Sequence, residues 1–152
     1  MNIPRRIAGI DQAMTHAGFT FYNEYRSLLW ESETGYEGTK VILDQTPDAT
    51  AFIAANDRIA FGIYRALQER NLRVPDDISV ISFDDEELAS YMHPGLTTIR
   101  LPYAEMGQVA TQVLLQEPPQ ELIDGIEAKG NELLIPMPLI ERHSISRPSK
   151  NS

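Results

Sequence analysis

The sequence predicts an α/β fold built on a parallel sheet. Two observations predict it. The apolar run Ala51–Ala55 stops abruptly at Asn56-Asp57, a helical pattern follows to about Arg70, and a second apolar run, Ile78–Phe83, stops just as abruptly at Asp84-Asp85. Helical and strand-like segments also alternate along much of the chain, which is the pattern of βαβ units. Right-handed crossovers place the carboxyl ends of such strands on one edge of the sheet. Ligands of open α/β sheets bind outside that edge, so the polar residues there are the first candidates for function.

Taken in order, residues from about Pro4 to Ala17 put Ile7, Ile10, Met14 and Ala17 on one helical face. Pro4 suits the first turn and Gly18 the stop. Tyr25–Trp30 is a short apolar and aromatic run that reads as a strand, ended by Glu31-Ser32-Glu33. Thr34-x-x-Glu37 reads as a capping box opening a helix to about Leu43. After a turn at Thr46-Pro47-Asp48 comes the strand Ala51–Ala55. Asp57 is placed to cap the next helix, whose buried side carries Ile59, Ala60, Ile63, Tyr64, Ala66 and Leu67. The turn Val74–Asp77 leads to the strand Ile78–Phe83. Glu86–Tyr91 reads as a short helix broken by His93-Pro94-Gly95, and Leu96–Ile99 as a short strand. Tyr103–Gln116 is amphipathic, with Met106, Val109, Ala110, Val113 and Leu114 on one face, and Glu117-Pro118-Pro119 stops it. Gly125–Asn131 reads as a loop. Leu133–Ile140 is apolar and extended, and its two prolines predict an edge strand or a crossing segment. From Ser144 onward the chain is polar and reads as a disordered tail.

The 152 residues are 42% hydrophobic, enough for one ordinary domain with a core, and the formal net charge is −9. So acidic a chain is a poor ligand for DNA or anionic membranes by itself. Cysteine is absent, which excludes disulfides, zinc–thiolate sites and thiol catalysis. No apolar run has the length of a membrane span, and the N-terminus lacks a signal-peptide core, so a cytoplasmic location is expected. His16, His93 and His143 share no metal-ligand spacing. There is no nucleophile elbow, Gly-rich dinucleotide loop or P-loop. An acid pair at a strand end can hold magnesium, but the three lysines (Lys40, Lys129, Lys150) are not placed to assist it. No catalytic activity and no cofactor are expected. The opening residues run straight into a helix with no preceding strand, so the chain reads as a segment of a larger unit.

Four residues stand out as candidate ligand contacts. Asn56 and Asp84 end apolar strands and offer an amide and a carboxylate to hydroxyl groups; helix capping is the competing reading for Asn56-Asp57, and a solvated loop for Asp85–Glu87. Trp30, the only tryptophan, can stack on a sugar ring or simply fill a core or rim position. Arg6 lies in a first helical turn, where a cation opposes the helix dipole, and otherwise reads as an exposed basic end with Arg5.

Several segments, in order, resemble the C-terminal half of LacI/GalR-family transcription regulators. They are Arg6-Ile7-Ala8-Gly9, Trp30 with Thr34-Gly35-Tyr36, Ala54-Ala55-Asn56-Asp57 with Ala60-x-Gly62, Arg73-Val74-Pro75-Asp76-Asp77-Ile78-Ser79-Val80, Ser82-Phe83-Asp84-Asp85, Pro94-Gly95-Leu96-Thr97-Thr98-Ile99, and Tyr103-x-x-Met106-Gly107. The match runs from about Arg5 to Arg142. Ser82 stands where the family usually has glycine. The resemblance implies a periplasmic-binding-protein-like three-layer α/β fold, present in part. Residues 1–100 would form most of the C-terminal subdomain without its first strand. Residues 101–131 would cross over and supply a helix that packs on the N-terminal subdomain, 132–143 the final strand segment, and 144–152 the tail. It further implies that Arg6 clamps ligand oxygens, Trp30 walls the ligand, and Asn56 and Asp84 bond its hydroxyls. The function implied is effector sensing (a sugar or sugar phosphate) by a dimeric repressor that binds operator DNA through a helix-turn-helix these residues do not contain. The alternative is a periplasmic sugar-binding transport protein of the same fold. Without the N-terminal subdomain, the apolar face of Tyr103–Gln116 is expected to be covered by a second copy of the chain.

Overall fold

The computed structural model describes residues 3–19, 23–116 and 125–147. Its elements are α1 (Ile3–His16), α2 (Ser32–Gln45), β1 (Ala51–Ile53), α3 (Asp57–Glu69), β2 (Ser79–Asp84), α4 (Glu87–Tyr91), β3 (Thr97–Arg100), α5 (Tyr103–Leu115), β4 (Glu127–Lys129), β5 (Glu132–Leu134) and β6 (Leu139–Ile140). The main sheet has the order β1-β2-β3-β6. β1, β2 and β3 run parallel, with Phe52 beside Val80 and Ser82 beside Thr98. β6 lies antiparallel on the far edge of β3, with Ile140 beside Thr98. The α/β class and the parallel sheet are as the alternation predicts. The carboxyl ends of β1 and β2 reach the same edge.

The core lies between the sheet and its helices. Leu43 of α2, Phe52, Ala60, Ile63 and Leu67 of α3, Ile78, Val80, Ala89, Met92 and Leu96 form one buried cluster. In α3 the residues at helical spacing face inward as the sequence predicts: Ala60, Ile63, Ala66 and Leu67 are buried. Tyr64 closes one end, its hydroxyl donating to the Pro94 carbonyl at 3.1 Å, and burial pushes its phenol up to about 12.

α2 and α3 cross unusually closely, and two glycines allow it. A Cβ at Gly62 would lie 1.8 Å from the Ser32 carbonyl oxygen, and one at Gly35 would lie 2.0 Å from the Ile59 carbonyl oxygen. Backbone meets backbone at both positions, so no rotamer change can make room. This contact fixes where α2 starts, and thereby where Trp30 sits.

Several local expectations differ from the structure. Tyr25–Trp30 is not a strand: the segment is irregular, and Tyr25 packs against Gly38 of α2 while Leu28 and Leu29 stay exposed. A short apolar run becomes a strand only where it docks on a sheet edge, and this one is held against α2 instead. The capping box is not formed. α2 begins earlier, at Ser32 after Glu31, and the Thr34 hydroxyl turns back to donate to the Leu29 carbonyl at 2.9 Å. The expected loop Gly125–Asn131 is largely the hairpin β4–β5, turning at Gly130 with φ of +61°. The apolar stretch after it is divided, β5 belonging to the hairpin and β6 to the sheet edge. The polar tail expected from Ser144 is held as far as Ser146. Ser144 is buried, its hydroxyl donating to the Val80 carbonyl and accepting from the Thr97 amide, and the Ser146 amide donates to Ser79 Oγ at 3.0 Å. The stop at Glu117-Pro118-Pro119 lies outside the described residues.

Gly62→Ala or Gly35→Ala is expected to destabilise the protein by roughly 2–3 kcal/mol, the cost of overpacking a tight contact. Gly107→Ala in α5, where a Cβ meets nothing within 4 Å, is expected to be neutral or stabilising by about 0.5–1 kcal/mol. Urea denaturation of the three variants checks the contrast; equal effects would disprove the tight crossing.

Candidate functional site

The carboxyl edge of the sheet gathers residues from widely separated parts of the chain. β1 ends at Ile53, and the chain turns through Ala55 into Asn56, the N-cap of α3. The Asn56 Oδ1 accepts from the Ile59 amide at 2.8 Å, and its Nδ2 donates to the Trp30 carbonyl at 3.1 Å. The sequence expectation that Asp57 caps α3 is therefore off by one residue. Asn56 takes the extended backbone of a cap, which moves Asp57 into the first turn and under the sheet edge. There Asp57 is fully buried. It accepts from the Ser82 hydroxyl, from Thr98 Oγ1 at 2.8 Å and from the Glu86 amide at 2.7 Å.

Arg6 reaches this edge from α1. Its Nη1 donates to the Ala55 carbonyl at 2.6 Å, and its guanidinium lies 4.0 Å from the centre of the Phe83 ring. Burial lowers the affinity of Arg6 for its proton, and the charges of Asp84 and Tyr103 oppose that shift. A planar cation stacked on an aromatic face keeps its edge free to donate.

Asp84 ends β2. Its backbone has φ of 111° and that of Asp85 has φ of 56°, both in the region that side chains other than glycine rarely occupy. Such conformations cost on the order of 1–3 kcal/mol and persist where surroundings enforce them. The Asp84 Oδ1 is buried and finds no hydrogen-bond donor among the described residues. Burial pushes its carboxyl up, the Asp57 charge pushes the same way, and Arg6 only partly opposes them. Asp85 behaves oppositely. Burial alone would raise it, but Arg142 and Arg100 hold it below the usual carboxylate range.

The structure thus brings Arg6, Asn56 and Asp84 to one rim, with the half-buried Trp30 tied to it through its carbonyl. Tyr103, the first residue of α5, joins them. Asp84 and Glu86 raise its phenol beyond what burial does, and Arg6 opposes them. From sequence alone Tyr103 marks only the start of a helical motif; an aromatic just after Pro102, close to the end of a strand, is the available signal. Phe83 and the paired arginines Arg100 and Arg142 gave no comparable signal, because their roles depend on partners far away in the chain. Among the described residues no group of three His, Asp or Glu side chains could hold a metal ion.

Comparison with known proteins fits this geometry. The model of the periplasmic binding protein-like domain matches residues 2–145. The lactose operon repressor of Rhizobium radiobacter is 37% identical over 117 residues, which cover 77% of this chain and 98% of that sequence. The ribose operon repressor of Escherichia coli K12 is 39% identical over 111 residues, covering 72% of this chain and 34% of the repressor. Among solved structures, a sugar-binding transcriptional regulator of the LacI family from Escherichia coli superposes with a TM-score of 0.76 at 32% identity, over 94% of this chain and 50% of that one. The Lac repressor bound to ONPG superposes with a TM-score of 0.78 at 35% identity, over 93% and 41%. The chain belongs to the periplasmic binding protein-like domain family, in its LacI/GalR-type branch of transcriptional regulators. Its fold is the periplasmic-binding-protein-like α/β fold, present in part: the chain spans about half the length of the solved regulators it matches or less.

A group whose charged form is disfavoured in the folded state costs stability once pH exceeds its folded pKa, and that cost vanishes below the unfolded value, about 3.9 for Asp. The Asp84 carboxyl is raised in this way, and asparagine tolerates positive φ. Asp84→Asn is therefore expected to raise the melting temperature at pH 7, with the gain shrinking towards nothing near pH 3. Thermal denaturation at the two pH values checks it, and a lower melting temperature at pH 7 would count against an uncompensated charge at this position.

Proposed function

We propose that this chain is the ligand-contacting part of the effector-binding domain of a LacI/GalR-type repressor, and that its effector is a sugar or sugar phosphate. The observation that carries this reading is the convergence of Arg6, Ala55 and Asp84 on one sheet edge. A cation held on Phe83 lies beside a carboxylate that lacks a partner at Oδ1. One ligand hydroxyl can accept from the first and donate to the second. Arg6, Trp30, Asn56 and Asp84 are the proposed contacts, with Tyr103 as a further wall.

In this reading residues 1–100 are one subdomain, and residues 101–131 cross over to pack α5 on the other. Met106, Val113 and Leu114 on α5 are exposed, which supports that assignment; Val109, expected on the same apolar face, is buried, as is Gln112. Ligand would favour a closed cleft and so change the spacing of the subdomains and of any DNA-binding heads attached to them. The role is sensing and not catalysis, in keeping with relatives named as repressors. Operator DNA would be met through a helix-turn-helix that these residues do not contain; the Lac repressor dimer, at 35% identity and a TM-score of 0.78, was solved bound to operator. A cytoplasmic location follows from the same reading; no helix among the described residues is long and apolar enough to cross a membrane. The transport-protein alternative has no support in the names of these relatives.

Saturation-transfer NMR against D-ribose, D-galactose and D-glucose and their phosphates tests the site. Binding of at least one member is expected, weakened tenfold or more by Trp30→Ala and by Asp84→Ala. If both variants bind as tightly as the wild type, the site is wrongly placed. With the α5 face uncovered, the chain is also expected to run as a dimer in size-exclusion chromatography with light scattering at tens of micromolar; a clean monomer would contradict coverage by a second copy.

A further inference from the structure

Asp85 follows Asp84 directly, yet its side chain is only 6% exposed and both its oxygens are occupied. Oδ1 accepts from Arg142 Nη2 at 2.6 Å and Oδ2 from Arg100 Nε at 2.8 Å. Exposed ion pairs contribute little, but this carboxylate is buried and gripped from two sides. Arg142 is itself anchored. Its Nη1 donates to the Leu96 carbonyl at 2.7 Å and its amide to Thr97 Oγ1 at 3.0 Å. Arg100 ends β3, and its amide donates to the Pro138 carbonyl at 2.9 Å. The two arginines therefore stand where the chain leaves the sheet for α5 and where it has just returned through β6. The Asp84 carbonyl lies on the same junction, accepting from the Leu101 amide at 3.4 Å.

Resting on the reading of Asp84 as a ligand contact, we propose that Asp85 is a positioning residue for it. Clamped between Arg142 and Arg100, Asp85 fixes the left-handed turn that holds Asp84 in its half-buried place, and it ties that ligand contact to both segments that cross from the sheet to α5 and back. A solvated loop would leave Asp85 exposed, whereas it is buried. Coupling across such a clamp is reciprocal, so a shift of either crossing segment moves Asp84, and a ligand on Asp84 strains both.

The position of Asp84 can be read without any ligand, from the titration of its own carboxyl carbon by NMR in the 152-residue chain. The charged groups facing it are Arg6 from α1, Asp57 from α3, Glu86 before α4 and, at the start of α5, Tyr103. Arg142 is not among them. Losing a nearby cation by itself would raise the Asp84 titration further, whereas losing its position would let water in and lower it. In Arg142→Met the Asp84 titration is expected to fall back towards the ordinary value of about 3.9, and Arg142→Lys is expected to restore part of the shift. Arg100→Met, which removes the other cationic arm of the clamp, is expected to act like Arg142→Met and covers the case in which that variant fails to fold; Asp85→Asn should lower the titration too, but the loss of its own negative charge contributes to that fall. Arg73→Met, which removes an exposed pair with Asp76 and Asp77, should leave Asp84 unchanged. An Asp84 titration in Arg142→Met or Arg100→Met that equals or exceeds that of the wild type overturns the proposal. The same samples titrated with D-ribose and D-galactose separate the two readings. Loss of the raised titration in the clamp variants, with Asp84→Ala having no effect on sugar binding, would support the clamp and reject the ligand contact.

Discussion

The carboxyl edge of this sheet depends on one buried carboxylate. Asp57 has no exposed surface, and no arginine or lysine pairs with it among the described residues. Burying a charge is tolerable only when its lone pairs are filled. Here the Ser82 hydroxyl from β2, Thr98 Oγ1 from β3 and the amide of Glu86 ahead of α4 fill them. The first turn of α3 adds the positive end of a helix dipole. A single side chain thus joins the start of α3 to β2, β3 and the loop after β2, the places from which the rim residues project. Ser82 acquires a physical role as one of the three donors.

The acids of the rim divide the work. Asp57 is satisfied by neutral donors and Asp85 by two arginines. Asp84, between them in sequence, is the one left with an unfilled oxygen. Asp57 contributes to that condition, since its charge is the second cause, after burial, of the raised Asp84 carboxyl. Stabilising neighbours therefore create a destabilised group at the rim. This is the usual trade between stability and binding: an unsatisfied polar atom costs the empty protein what a ligand hydroxyl would recover.

Much of this was legible in the sequence because strand ends are local signals. An apolar run that stops at a polar residue marks both the strand and its carboxyl end, and so Asn56 and Asp84 stand out. The helical spacing of Ile59, Ile63 and Leu67 is likewise local. What failed to show depends on contacts distant in sequence. Capping falls to Asn56 and not Asp57, because the position of a cap is set by where the strand ends, to within a single residue. Tyr25–Trp30 has the composition of a strand, but it packs on α2 and pairs with no described strand. The closeness of α2 and α3 cannot be read from Gly35 or Gly62 alone, since either glycine gains meaning only from the carbonyl opposite. Arg142 lies 57 residues from the aspartate it grips, and nothing in its surroundings marks it.

The hydrogen-bond inventory also ranks the proposed contacts. Asn56 has one lone pair and one N–H left after bonding the Ile59 amide and the Trp30 carbonyl. Its first effect is to hold Trp30 against α3, and a ligand contact from it would be made with what remains. Arg6 has likewise committed Nη1 to Ala55, but a guanidinium carries five N–H donors, so most of its capacity is open. Asp84 has the most to gain. Filling its orphaned oxygen removes a desolvation cost of about 1–3 kcal/mol or more for a charged group, whereas a new bond to Asn56 only exchanges water for ligand. If ligand does sit on this rim, its affinity for this wall of the cleft is therefore concentrated at Asp84 and Arg6, while Asn56 and Trp30 set the shape of what fits between them.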